Sequence, residues 1–265
     1  MSLLAADWQV YAERYRGGFH TVAGSLLVKP DVWSPQLDNR RDILLYLPST
    51  YERTSRRYPV IYMHDAQNLF DRATSFAGEA WQVGETLEAL SDEGLEAIVV
   101  GVPHMGEGRL AEYTPHAFTR RGRGEDYVAF LCETIKPMVD RAFRTQADRA
   151  HTGVFGSSMG GLISLYAFFQ ESEIFGLVGA MSPSLWVGWG AMYDFISRAA
   201  SAPGRIYLDN GTREGSAHRL HALLRDKGYR DDLDLLYVIE PGGRHSEPAW
   251  ARRLPNALRF LLRDS

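Results

Sequence analysis

Between residues 154 and 162 the chain reads VFGSSMGGL, with two serines set between glycines where one apolar run stops and another begins. Gly156-Ser157-Ser158-Met159-Gly160 fits the pattern G-x-S-x-G with Ser158 at its centre. The pattern is short, and by itself it also describes a flexible turn. Its setting carries the weight. A strand-like run before it and a helix-like run after it put Ser158 on the sharp strand-to-helix turn of a nucleophile elbow, which lifts Oγ clear of a sheet. Ser157, the x position, reads as a turn hydroxyl.

A serine hydroxyl is a weak nucleophile at neutral pH, so it needs a base, most often a histidine oriented by a carboxylate. After such an elbow the partners follow in the order Ser, Asp or Glu, His. His245 comes after LLYVIEPGG and before the last helical segment. His218 and His221 fall inside a helical pattern, and His20, His64, His104, His116 and His151 precede the nucleophile. Position selects His245. For the acid, RIYLDNGTREG offers two residues. Asp209 ends a strand-like run and can cap its own turn, whereas Glu214 lies past the Gly-Thr bend. The residues alone leave both open. One oxyanion donor is expected to be the backbone N–H of Met159, directly after the nucleophile. The second should come from the loop MHDAQNLF (63–70), at Gln67 or Ala66, on topology alone.

Trp81, Tyr113, Trp186 and Trp189 lie in segments that follow strand ends, the rim where substrates bind. Trp81, Tyr113 and Trp186 are therefore taken as substrate-binding candidates, with loop packing as the competing role. Arg109, Arg120, Arg121 and Arg123 make the 105–125 loop basic and read as a solvated face. No HExxH, CxxC or phosphate-binding glycine loop is present, so no metal, nucleotide or other cofactor is implied.

Seven short apolar runs recur along the chain (41–48, 59–65, 96–103, 150–156, 177–183, 205–211 and 235–243), each closed by Gly, Pro, Asp or Asn. Such runs suit strands buried on both faces. Between them lie helical patterns at 84–90, 126–143, 161–170 and 218–228, and an amphipathic one opens with EPAW at 247. Strands alternating with helices predict an α/β fold with a mostly parallel central sheet and helices on both faces. HTVAGSLLVK and RRDILLYLP form an antiparallel pair at its start. With no repeat, linker or low-complexity tract, residues 1–265 read as a single domain.

The bulk numbers agree. A formal charge of −4 over 265 residues gives no basic field for nucleic acid or an anionic membrane. No segment approaches the roughly 20 apolar residues of a membrane-spanning helix, and residues 1–16 lack the pattern of a signal peptide. The expectation is a soluble cytoplasmic protein with one cysteine, Cys132, and so no internal disulfide.

MHDAQNLFDRATSFAGEAW, GSSMGGLISLYA, SPSLWV, DNGTREG and GGRHSEPAWARRLP together resemble the putative-esterase family of α/β-hydrolases. Its members include enterochelin-type siderophore esterases, feruloyl and acetyl-xylan esterases, S-formylglutathione hydrolases and mycolyltransferases. The resemblance runs from about residue 20 to the C-terminus. It implies an α/β-hydrolase fold with Ser158 as nucleophile, His245 as base, Glu214 as acid and the Gln67 backbone as oxyanion donor. Ala66 stands where relatives often carry glycine. The implied activity is hydrolysis of a small-molecule carboxylic ester through an acyl-enzyme. An acyltransferase with the same intermediate, or a non-catalytic binding protein on this fold, are the alternatives.

Overall fold

Apolar runs with no polar face must be covered on both sides, and here the seven runs line up side by side in a nine-stranded sheet. The computed structural model describes residues 7–16 and 19–263. The first six residues of the N-terminal segment and Asp264, at the end of the last expected helix, lie outside them. The strands are β1 Gln9–Val10, β2 Ser25–Ser34, β3 Asn39–Leu47, β4 Val60–His64, β5 Ile98–Val102, β6 Thr152–Ser157, β7 Leu177–Met181, β8 Arg205–Gly211 and β9 Leu235–Glu240. They lie in the order β1-β2-β3-β5-β4-β6-β7-β8-β9. The β1–β2, β2–β3 and β3–β5 pairs are antiparallel, and every pair from β5 to β9 is parallel.

The pleat alternates side chains between two cores. Val60 and Tyr62 of β4 face one apolar cluster, and Ile61 and Met63 face the other. Helices α2 (Val83–Ser91) and α9 (Glu247–Leu262) cover the Ile61 face with Leu87, Leu90, Leu254 and Leu258. The opposite face is covered by α4 (Gly124–Ala129), α5 (Lys136–Ala142), α6 (Met159–Gln170), α7 (Ala191–Arg198) and α8 (His218–Asp226). Two further helices, α1 (Tyr11–Arg14) and α3 (Arg109–Glu112), are one turn long.

The expected helix at 126–143 is interrupted. Phe130–Ile135 adopts π-helical turns between α4 and α5, a local widening that apolar period alone does not reveal. Helix α7 lies outside the helical patterns expected from the sequence.

Register sets the ends of three neighbouring strands level. Ser157 pairs with Met181, and Met181 pairs with Asp209, so the carboxyl ends of β6, β7 and β8 are level. Buried α6 starts immediately beyond, and its first turn packs against the end of β6. A Cβ on Gly156 would lie 2.7 Å from the Gly160 carbonyl carbon and 2.8 Å from His64 Cδ2. Only glycine fits there. Gly156→Ala is expected to cost about 1–3 kcal/mol through overpacking, read as a lower urea midpoint at unchanged slope. An unchanged midpoint would mean that the turn has room to relax.

Candidate active site

Ser158 bridges β6 and α6 at φ 56° and ψ −118°. A side-chain residue in this region carries strain of about 1–3 kcal/mol and persists only where its surroundings enforce it. They do so here through the backbone. Ser158 N–H donates to Met181 O at 2.9 Å, while Ser158 O accepts from Leu162 N–H at 3.1 Å and Ser184 N–H at 2.9 Å. The turn points Oγ away from the sheet, 2.9 Å from His245 Nε2 and 3.1 Å from Ser184 Oγ. Ser157, by contrast, ends β6 and is 3% exposed.

His245 stands in the loop between β9 and α9, its ring edge-on to Trp250 with centroids 5.0 Å apart. Its Nδ1 lies 2.8 Å from Glu214 Oε2. An ionised carboxylate only accepts, so Nδ1 carries the proton and Nε2 offers its lone pair to the Ser158 hydroxyl. The other carboxylate oxygen, Glu214 Oε1, accepts from Gly211 N–H at 2.5 Å and Ser182 Oγ at 2.9 Å. Trp250 Nε1–H in turn donates to Ser182 Oγ at 3.0 Å. Burial acts to raise the Glu214 pKa, but the bonds from His245, Gly211 and Ser182 and the Arg253 charge outweigh it and hold the carboxyl below its ordinary value.

Of the two acids left open by the residues alone, the fold brings Glu214 to His245 and turns Asp209 into the core. Asp209 accepts from Ser182 N–H at 3.0 Å, Tyr207 O–H at 3.0 Å and Arg253 at 2.6 Å. Burial pushes its carboxyl up to about 7 against the pull of Arg253. Arg253 also reaches Glu214 at 3.4 Å and Glu240 at 3.3 Å, so one buried guanidinium faces three carboxylates.

Across the cleft, Asp65 takes a left-handed conformation (φ 56°) that turns the chain out of β4 into the short 3₁₀ turn Ala66–Asn68. The first N–H groups of a helical turn have no acceptor within it, which leaves the Gln67 and Met159 amides in the first turns of Ala66–Asn68 and α6. Gln67 is fixed by its neighbours: its Oε1 accepts from His104 N–H at 3.3 Å, and its carbonyl accepts from Thr74 Oγ1 at 2.8 Å. Asp65 forms a two-pronged pair with Arg109 at 2.7 and 2.8 Å, and its N–H donates to Tyr113 Oη at 3.2 Å. Beneath it His64 packs against the elbow with Nδ1 2.8 Å from Tyr127 Oη. Burial pushes that imidazole down to about 4.

These residues line an open cleft of about 560 Å³ that holds Ser158, His245, Asp65, Gln67, Arg109 and Glu247 along its walls. Two of the aromatic expectations need correction. Trp81 and Tyr113 are 2% and 0% exposed, so they are core residues beneath the site and not its rim. Trp81 packs on Phe155 and Trp250, and Tyr113 on His64 and Tyr127. Trp186 and Trp189 are exposed, 76% and 104%, but lie outside the residues that line the cleft. Arg109, read as part of a solvated face, is committed to Asp65, whereas Arg120 and Arg121 are exposed as expected. Ser182, Ser184, Trp250 and Arg253 were not singled out, although SPSLWV and EPAWARR had marked their segments.

Residues 34–261 match the family model described as a putative esterase. Among curated proteins, the uncharacterized protein YbbA of Bacillus subtilis is 28% identical over 243 residues, covering 84% of this chain and 92% of that protein. The iron(III) salmochelin esterase of Escherichia coli O6:H1 is 25% identical over 224 residues, 83% of this chain and 47% of the relative. Among solved structures, a ferulic acid esterase superposes with a TM-score of 0.70 at 20% identity, covering 90% of this chain and 98% of the other. The enterochelin esterase of Shigella flexneri gives 0.71 at 22% identity, covering 89% and 58%. These likenesses establish the α/β-hydrolase fold.

The held-down Glu214 carboxyl has a consequence for stability. In the unfolded chain it titrates at its ordinary value of 4.5, and in the fold it titrates lower. Its ionised form therefore contributes stability that is complete above about pH 4.5 and is lost as pH falls through the lower folded value. The gap in urea midpoint between wild type and Glu214→Gln is expected to shrink from about pH 7 to about pH 3. A gap that does not change with pH contradicts the assignment.

Proposed function

The chain belongs to the putative-esterase family and is a carboxylic ester hydrolase, and from that premise we propose that Ser158, His245 and Glu214 cleave the ester through an acyl-enzyme. One observation carries the reading: Ser158 Oγ, His245 Nε2 and Nδ1, and Glu214 Oε2 form an unbroken line of hydrogen bonds at 2.9 and 2.8 Å. His245 Nε2 takes the hydroxyl proton as Oγ bonds to the carbonyl carbon. The negative charge that develops on the carbonyl oxygen is met by the Met159 and Gln67 backbone N–H groups. Donors of this kind are worth on the order of 2.7–4 kcal/mol each. The proton on Nε2 then passes to the leaving alkoxide as the tetrahedral intermediate collapses. Water repeats the sequence on the acyl-enzyme, giving its proton to Nε2 and releasing the acid.

Glu214 holds the imidazole in the tautomer that offers Nε2 to serine and stabilises the imidazolium formed in each half-reaction. Its own position is set by Ser182, Gly211 and Arg253. Asp209 is a structural partner of Arg253 in this scheme and takes no part in proton transfer.

Ser158→Ala is expected to lower kcat for a chromogenic ester by about 10⁴-fold or more, with the circular dichroism spectrum unchanged. Ser157→Ala should retain turnover. Glu214→Gln should lose far more activity than Asp209→Asn measured on equally folded protein. If Asp209→Asn is the crippling change, or if Ser157 rather than Ser158 is indispensable, the assignment of roles is wrong.

A further inference from the structure

A second cavity, of about 420 Å³, adjoins the catalytic cleft. Gln67 and Thr74 line both spaces. Successive residues divide between them, with His104 on the wall of the cleft and Met105 on the wall of the second cavity. The partition is thus the same segment that carries the proposed Gln67 oxyanion donor. Gln67 therefore stands on the wall of the cleft and on the wall of the second space at once.

The cavity is walled by Tyr11, Tyr15, Leu44, Pro103 and Met105, with charged residues beside them. Those charges are engaged with one another. Arg40 pairs with Asp31 at 3.0 Å. Asp42 accepts from Tyr15 O–H at 2.8 Å and from Asp31 N–H at 2.9 Å. The Arg41 guanidinium is held by Glu112, Asn39 and the Pro103 carbonyl, and its unpartnered Nε is sealed from solvent. Tyr11 Oη is spent on Asp71 at 3.0 Å. Between these pairs the wall presents ring and aliphatic surface, which attracts apolar groups, and each charge beside it already has a partner.

The walls are also tied to the oxyanion loop. Asp71 accepts from Tyr11 and from Thr21 and Ala73 N–H, and its carbonyl accepts from Thr74 and Ser75. Thr74 and Ser75 hydroxyls reach the Gln67 carbonyl as well. The N-terminal segment bearing Tyr11 and Tyr15 is therefore anchored to the loop that shapes the cleft, and it forms a built wall.

We propose that this cavity is a second substrate subsite that binds an uncharged, apolar arm of the ester, so that the enzyme favours extended esters over short ones. The proposal rests on the hydrolase reading above and adds the class of substrate. The arm belongs either to the acyl group or to the alcohol, and the two are separable by experiment.

The test compares kcat/KM for ethyl acetate, ethyl 4-phenylbutanoate and 4-phenylbutyl acetate, followed by proton release in a pH-stat. Ethyl 4-phenylbutanoate carries the arm on the acyl side, and 4-phenylbutyl acetate carries it on the alcohol side. The wild type is expected to prefer one of the two extended esters to ethyl acetate by about tenfold or more, the scale on which apolar pockets discriminate. Met105→Glu puts a charge into the wall and Tyr15→Ser removes a ring from it. Each should lower that preference by about tenfold. The ratio is taken within one preparation, so partial unfolding of a variant does not affect it. If neither extended ester is preferred, or if both variants leave the ratio unmoved, the subsite is overturned while the hydrolase reading stands. If none of the three esters is cleaved and a fluorophosphonate fails to label Ser158, both fall together.

Discussion

Ser158 can hold its left-handed backbone only while nothing occupies the space beside Gly156, where the start of α6 and the His64 ring close in. That packing sets how sharply the chain reverses, and the reversal sets where Oγ stands. The end of β7 completes the clamp, with Met181 O and Ser184 N–H gripping the Ser158 peptide from one side. The strain at one residue is thus balanced by hydrogen bonds and contacts spread over three strands and a helix. A local flexible turn would meet none of these conditions, and its hydroxyl would sample many positions instead of one.

The opposite wall depends on a different force. Arg253 enters from α9 with its side chain 4% exposed and meets Asp209, Glu214 and Glu240. Removing one partner of a buried ion pair typically costs about 3–5 kcal/mol, because the other charge is left without compensation. The pairing therefore ties α9 to the ends of β8 and β9, the two strands whose loops deliver Glu214 and His245. Trp250, one turn earlier on α9, packs on His245 and bonds Ser182, which itself bonds Glu214. A single helix face thus supports both His245 and Glu214.

How much of this could be read from residue order depends on what each feature requires. The inner parallel strands were legible because a strand buried on both faces must be apolar throughout, and the elbow because its bend demands glycines at fixed spacing. Side-chain direction was not legible. Trp81 and Tyr113 follow strand ends in the sequence, yet both rings turn inward, since position along a loop does not say which way a residue points. Arg109 looked like one of several loop cations, and only the fold brings Asp65 within 2.7 Å of it. Asp209 and Glu214 could not be separated by spacing because both lie within reach of the same loop. Tertiary packing distinguishes them, sending one to Arg253 and the other to His245. The second cavity has no local signature at all, being assembled from the N-terminal segment, β2, β3 and the loops after β4 and β5.

The central claim is that Ser158 Oγ becomes covalently acylated during turnover. Acid-quenching the enzyme within its first turnovers on an activated ester, followed by intact-protein and peptide mass spectrometry, tests it most directly. The account predicts a mass increment equal to the acyl group, confined to the peptide containing Ser158 and absent from Ser158→Ala. Turnover with no acyl adduct under conditions where deacylation limits the rate, or an adduct on another residue, would contradict it.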